Sequence, residues 1–360
     1  MSLGRTRARI RSHLHPGGGA LPPVLWSADF TTLTPGAVAT LPGSLVLTRA
    51  SAATVQTGTS TVVTAGIGTD VARAGRRLDA DTIGLVLEAE RTNGAFNNSR
   101  NSTRNNAGTG TETANQTGPD GTANAARDAI GAGQYSTYWQ NPLNGPYTVG
   151  QPVTWSVWAK LASGSAPGRI EYNSAGWGQV AVTVGAAWGR VSYTTNATTT
   201  SNLGLIPTTG RDGTARDNYT DLGQIESGAW ASEAIVTTTG SATRAGERLY
   251  LASAAPYVNA GRLTLAISCR PKAARDKYAA AMRVWTSGTD YAEINPTTGV
   301  MTVSIGGSTN TTAAITGSAL GNVSTAGALD LLCNGTSNQL SAWITRMAAY
   351  RANQRPAWAT

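Results

Sequence analysis

Residues 150–160 read GQPVTWSVWAK, and this stretch decides how the rest of the chain is read. Gly150 and Pro152 punctuate its start, and Val153–Ala159 is a short run of β-branched, aromatic and small residues. Such a run predicts a strand. Trp155 and Trp158 lie three apart, so an extended backbone sends them to opposite faces. One belongs to a core, and the other is free to be exposed.

The same signature recurs outward in both directions. Ser44–Thr48, Thr61–Thr64, Ile83–Glu88, Gln179–Val184, Trp188–Thr194, Ala234–Thr238, Leu263–Ser268, Met282–Trp285, Tyr291–Ile294, Val300–Ser304 and Leu329–Leu332 each alternate or form a short apolar run. Gly, Asn, Pro or Ser bound most of them, which predicts strands joined by turns. Short helices are expected only at Arg270–Met282 and Ser341–Tyr350. The run Gly94–Gly118, rich in Asn, Thr and Gly, reads as a long loop or boundary. The fold class is therefore all-β, with tandem β-sandwich or jelly-roll modules. Four segments are expected: a basic extended arm and hinge at 1–24, an N-terminal β segment at 25–95, a central sandwich at 96–240 and a C-terminal sandwich at 241–360.

Composition supports this. Charged residues are 13% of the 360, about half the usual share. There are 42 Gly, and 10 Trp and 11 Tyr stand against two Phe. Trp and Tyr suit half-buried sheet faces and wet interfaces. The net charge of +8 is concentrated at the start, where Arg5, Arg7, Arg9 and Arg11 precede the first acid, Asp29. A nucleic-acid reader carries its basic patch on a folded face, so no specific nucleic acid is expected as partner. No run approaches a membrane span, and the basic start leads into Pro16 and Gly17–Gly19 rather than an apolar signal segment.

In the arm, Arg5, Arg7, Arg9, Arg11, His13 and His15 alternate with Thr6, Ala8, Ile10, Ser12 and Leu14. Period two puts the cations on one side of a strand and Ile10 and Leu14 on the other. The arm reads as a docking segment; the alternative is a flexible tail that aids solubility or touches nucleic acid. His13 and His15 would share a strand face, and three copies on an axis would offer six nitrogens to a metal. The plainer reading is hydrogen bonding, and no metal or cofactor is expected. Cys269 and Cys333 read as buried thiols, with a disulfide between them as the alternative.

Catalysis has few parts. Both histidines lie in the arm, so neither a Ser-His nor a Cys-His pair is expected in the folded segments. A glycosidase needs only two carboxylates; the candidates are Glu171, Asp212, Asp217, Asp221, Glu226 and Glu233. Asp212–Asp221 also has the oxygen-rich character of a Ca²⁺ loop without its spacing, and reads as a solvated loop. Exposed Trp or Tyr beside polar residues makes a platform for sugar rings, and Tyr135, Tyr138, Trp139, Tyr172 and Trp177 are the candidates for glycan contact.

Two stretches resemble a family of tailed-bacteriophage structural proteins, variously head-fibre, tail-fibre or spike. Residues 44–58 and 76–99 carry Thr48-Arg49-Ala50-Ser51, Gly84-Leu85-Val86-Leu87-Glu88, and Arg91-Thr92-Asn93 leading into Asn98-Ser99. Residues 222–247 read LGQIESGAWASEAIVTTTGSATRAGE. Between them GPDGTANAARD, YTVGQPVTWSVWAK and AAWGRVSYTTNATT resemble a carbohydrate-binding module. The resemblance covers roughly residues 40–250. It implies a non-enzymatic virion protein made in the host cytoplasm and displayed on the particle surface. The arm is not part of the family's pattern; its alternation and the Gly17–Gly19 hinge are what suggest docking to a capsid or tail protein. The resemblance also implies a lectin-like C-terminal module, a homo-oligomer, most simply a trimer, and contact with a host glycan. The alternative is a depolymerase on a tail spike. Arg49, Arg91 and Arg244 each stand beside Thr and a strand, and are read as structural ties to carbonyls and to carboxylates such as Glu88 or Glu226.

Overall fold

The computed structural model describes residues 24–41, 45–58, 63–77, 82–88, 90–98, 108–141, 147–164 and 168–251, and beyond these the backbone of eight strands between 263 and 350. The arm, with Arg5, Arg7, Arg9, Ile10, Arg11, His13, Leu14 and His15, lies outside the described residues, as do Cys333 and the side chain of Cys269.

The protein is all-β, built of tandem β-sandwich modules. Among the described residues the central sandwich has nine antiparallel strands. They are β1 (Thr111–Gln116), β2 (Ala125–Ile130), β3 (Trp139–Asn141), β4 (Pro152–Ser163), β5 (Gly168–Asn173), β6 (Trp177–Val182), β7 (Gly189–Asn196), β8 (Leu203–Ile206) and β9 (Arg216–Ser227). One sheet has the order β7-β4-β9-β2-β1 and the other β3-β8-β5-β6. Val153, Trp155, Val157 and Ala159 from β4 meet Trp139, Ile170, Leu203 and Leu205 from the facing sheet in one apolar core.

Trp155 and Trp158 do leave β4 on opposite sides, but both are buried, at 0% and 1% exposure. Trp155 joins the sandwich core, whereas Trp158 packs with Val63, Leu222, Ala234 and Trp188 on the outer side of the five-stranded sheet. That outer side is therefore a covered interface, which alternation alone does not reveal.

Strands from 24–87 and 248–350 hydrogen-bond into two shared seven-stranded sheets. Val24–Asp29 and Thr82–Leu87 both pair with Ala342–Tyr350, and Leu45–Thr48 pairs with Arg248–Leu251. Segments far apart in sequence thus close on each other around the central module.

Three local expectations are corrected, and a fourth lies mostly outside the described residues. Ala342–Tyr350 is a strand, not a helix; it is held between Leu263–Pro271 and its partners Val24–Asp29 and Thr82–Leu87. Of the other expected helix, the two ends belong to Leu263–Pro271 and Met282–Trp285, and residues 272–281 lie outside the described residues. Within Gly94–Gly118, Thr111–Gln116 is the edge strand β1, paired with β2. Ala234–Thr238 belongs to no sheet, although Ala234, Ile235 and Thr237 are buried. Side chains occupy its backbone groups instead: Gln224 accepts from the Ile235 N–H at 2.8 Å, and Asn98 accepts from the Thr237 N–H at 2.6 Å. Asn93 and Asn98 both donate to the Ile235 carbonyl. Buried backbone must be paired, and amide side chains satisfy it as well as a strand does.

Candidate functional site

The motif residues converge, but on a scaffold rather than a surface. Glu88, Glu226, Glu233 and Glu247 are buried with Arg49, Arg73, Arg91 and Arg244, and Arg190 is half-buried 4.0 Å from Glu226. Glu247 accepts from Arg49, from Arg73 Nε at 3.0 Å and Nη2 at 2.5 Å, and from the Glu88 N–H at 2.7 Å. Arg244 reaches Glu88 at 2.9 Å and the Glu233 carbonyl at 3.1 Å. Arg91 lies 3.9 Å from Glu226 and over the Trp230 ring at 4.3 Å. Burial acts to lower the Arg73 pKa, and the carboxylates of Glu247 and Glu88 outweigh it and raise the pKa above the ordinary value. The reading of Arg49, Arg91 and Arg244 as structural ties agrees with these contacts. Asn93 and Asn98 complete the seam, both donating to the Gly223 carbonyl.

The six carboxylates considered for hydrolysis are distributed over separate ion pairs and buried bonds. Glu226 and Glu233, 0% and 5% exposed, sit inside the scaffold. Glu171 holds Arg211 at 2.8 Å. Asp221 is buried and accepts from the Leu222 N–H. Asp217 pairs with Arg127 at 2.5 Å, and that bond holds its pKa below the ordinary carboxylate value. Both oxygens of Asp212 take Arg216 at 2.7 Å, which holds its carboxyl well below the usual range. A general acid needs a raised pKa, so Asp212 and Asp217 are shifted away from that task. The expected solvated loop at 212–221 is a short turn followed by the first half of β9. Among the described residues no group of three or more metal-binding side chains occurs.

The outer side of the four-stranded sheet is different. Period two along β5 turns Ile170 and Tyr172 inward and Arg169 and Glu171 outward. Along β6, Val180 and Val182 face the core, while Trp177 and Gln179 face out. The candidate aromatics separate accordingly. Trp139, 1% exposed, is a core residue, and Tyr172 stacks inward between Trp155 at 5.2 Å and Tyr193 at 4.6 Å. Trp139 has no ring face for a ligand, and the Tyr172 ring is half-buried against the core. Tyr135, Tyr138 and Trp177 come together outside. Trp177 is 39% exposed and meets Tyr138 edge-on at 5.2 Å; Tyr135 follows at 6.3 Å. A Cβ at Gly204 would stand 2.8 Å from the tip of the Trp177 indole, so the absence of a side chain there makes room for the ring.

Polar side chains border these rings. Arg211 lies over Tyr135 at 4.0 Å while bonded to Glu171. Glu171 also accepts from Thr209 and, at 3.3 Å, from Gln179. Arg169 contacts Asp212 at 2.9 Å and Gln179 at 3.4 Å. Sequence reading missed Arg169, Gln179 and Arg211. Two of them carried a signal: Arg169 shares the parity of Glu171, and Gln179 that of Trp177. Arg211 arrives from a distant turn and carried none. An apolar ring bordered by fixed hydrogen-bonding groups can hold a sugar, whose faces are apolar and whose rim is polar.

No protein family and no curated protein sequence matches the chain. Solved structures are similar to parts of it. One is the CBM22-1–GH10 modules of the N-terminal endo-1,4-beta-D-xylanase 10B of Clostridium thermocellum, complexed with xylohexaose, at 17% identity over 41% of this chain and TM-score 0.29. The chain spans only 30% of that structure's length. A second is the CBM22-1 xylan-binding domain of Paenibacillus barcinonensis Xyn10C, at 18% identity over 41% of this chain and 97% of that one, TM-score 0.27. The CBM22-1–CBM22-2 tandem domain of the same protein covers 74% of this chain and 99% of its own, at 12% identity and TM-score 0.29. The β-sandwich class of this chain rests on its own strand order and core.

Proposed function

We propose that this chain is a non-enzymatic structural subunit of a tailed-phage particle, a spike or fibre protein whose central sandwich binds host surface glycans. The observation that carries the glycan part is the outer sheet face where Trp177, Tyr138 and Tyr135 meet the polar set of Glu171, Gln179 and Arg211. The virion part is supported by the motif resemblance; the quoted motif residues fall within one buried scaffold that would hold the module rigidly on its neighbours. In this reading the subunit assembles as a homo-trimer, because fibre proteins with modest cores gain stability from closed symmetry.

A glycan array followed by calorimetry on the full chain tests the binding part. Trp177→Ala is expected to weaken binding by about tenfold to a hundredfold, the usual effect of removing a stacked aromatic anchor. Circular dichroism should be unchanged, because Trp177 lies outside the core. Wild-type protein that binds no glycan would reduce the face to architecture. Digestion of host capsule or lipopolysaccharide by the purified chain would favour the depolymerase instead.

Docking is assigned to the basic arm. Strand pairing along it would supply register, and its arginines charge-assisted bonds to an acidic groove or sheet edge on a head or tail protein. Deleting residues 1–15 should leave the β modules folded and remove the protein from particles. Incorporation at the wild-type copy number would place docking elsewhere.

A further inference from the structure

We infer that the glycan bound on the outer face carries a carboxylate, received by Arg211 and Arg169; this rests on the glycan reading above and specifies its chemistry. The polar groups the face offers to solvent are mainly donors. Arg211 is 33% exposed; its Nη1 is fixed on Glu171 and its plane lies on Tyr135, while no contact among the described residues involves its Nε or Nη2. Arg169 is 27% exposed; its Nε faces Asp212 and its Nη1 faces Gln179, and its Nη2 is likewise without a contact.

The acceptors are already engaged. Glu171 is fully buried under Arg211, Thr209 and Gln179. Asp212, whose side chain is 20% exposed, is taken on both oxygens by Arg216 and faces Arg169 as well. Asp128, fully buried, accepts from Thr208 and Thr220. The Gln179 amide is occupied at both ends, donating to Glu171 and accepting from Arg169. A neutral sugar rim presents donors and acceptors together and would find few acceptors here. A carboxylate presents acceptors alone, and its geometry matches the guanidinium fork. Both forks are already oriented, Arg211 by buried Glu171 and Arg169 by Asp212 and Gln179, so less side-chain freedom is lost when a ligand binds.

A preference for acidic over neutral polymers follows, measurable on the intact 360-residue chain. Binding would be compared for polygalacturonate, polymannuronate and hyaluronate, each against the same polymer reduced at its carboxyl groups. At least one acidic form should bind about tenfold or more tighter than its reduced counterpart, and that advantage should shrink with added salt. Arg211→Gln and Arg169→Gln should each erode the advantage, whereas Trp177→Ala should weaken both forms together. Equal wild-type affinity for acidic and reduced forms, with both lost in Trp177→Ala, overturns the carboxylate inference and leaves the glycan reading standing. An advantage that survives both arginine replacements in folded protein also overturns it. Failure to bind any polymer in either form counts against both.

Discussion

Glu247→Ala is expected to lower the unfolding free energy by about 3–5 kcal/mol, the cost of removing one partner from a buried ion pair. The carboxylate is fully buried and is the common acceptor for Arg49, Arg73 and the Glu88 N–H. Without it two guanidiniums stay in a site from which water is excluded. Both lie on the N-terminal side of the scaffold, while Glu247 comes from the chain that leaves the central module. The substitution therefore opens the seam rather than one strand. Urea titration followed by tryptophan fluorescence measures it, through a fall in midpoint. Glu247→Gln keeps one acceptor and should lose less. Added salt should change little, since screening ions do not reach a buried pair. A shift under 1 kcal/mol for Glu247→Ala would mean that water already enters the cluster.

Trp155→Ala should cost a similar amount, about 3–5 kcal/mol, by a different route. The indole lies at the centre of the sandwich core, against Tyr172 at 5.2 Å and among Trp139, Leu205 and Ile225. Its loss removes a large apolar area and leaves a cavity that strands on both sides are too constrained to fill. Trp158→Ala is the informative companion. That ring packs where the five-stranded sheet meets Val63 and Ala234, so its removal loosens the seam more than the sandwich. Limited proteolysis should then cut within residues 228–240 before the sandwich itself. Identical cleavage in the two variants would show that sandwich and seam unfold as one unit.

These two tryptophans mark where sequence reading succeeds and where it ends. Three-residue spacing sends them to opposite faces in any strand, and the structure agrees. Spacing says nothing about whether a face meets solvent or another segment, and here the second face is covered. The same limit explains β9. Its twelve residues occupy the middle of the five-stranded sheet, yet RDNYTDLGQIES has no apolar alternation. Asn218, Thr220, Gln224 and Glu226 are buried there because partners from elsewhere satisfy them: Asp128 for Thr220, Ser232 for Glu226 and the Ile235 N–H for Gln224. A bulge at Leu222, with φ +48°, also breaks the period-two pattern.

The sequence by itself determined the all-β class, the position of some strands, among them Leu45–Thr48, Pro152–Ser163 and Gly189–Asn196, and the parity of the residues along them, because strand sterics and turn chemistry act over a few neighbours. It also picked out Arg49, Arg91 and Arg244 as ties, because an arginine beside a strand seeks carbonyls and carboxylates. The tertiary structure alone decided which strands share a sheet, since Leu45–Thr48 meets Arg248–Leu251 across some two hundred residues. It alone separated Trp139 and Tyr172, inside, from Tyr135, Tyr138 and Trp177, outside. It alone brought Arg211 onto Tyr135 and Glu171 from the turn before β9. Those contacts depend on long-range closure of the chain, and burial of a polar side chain is settled only when its distant partner is in place.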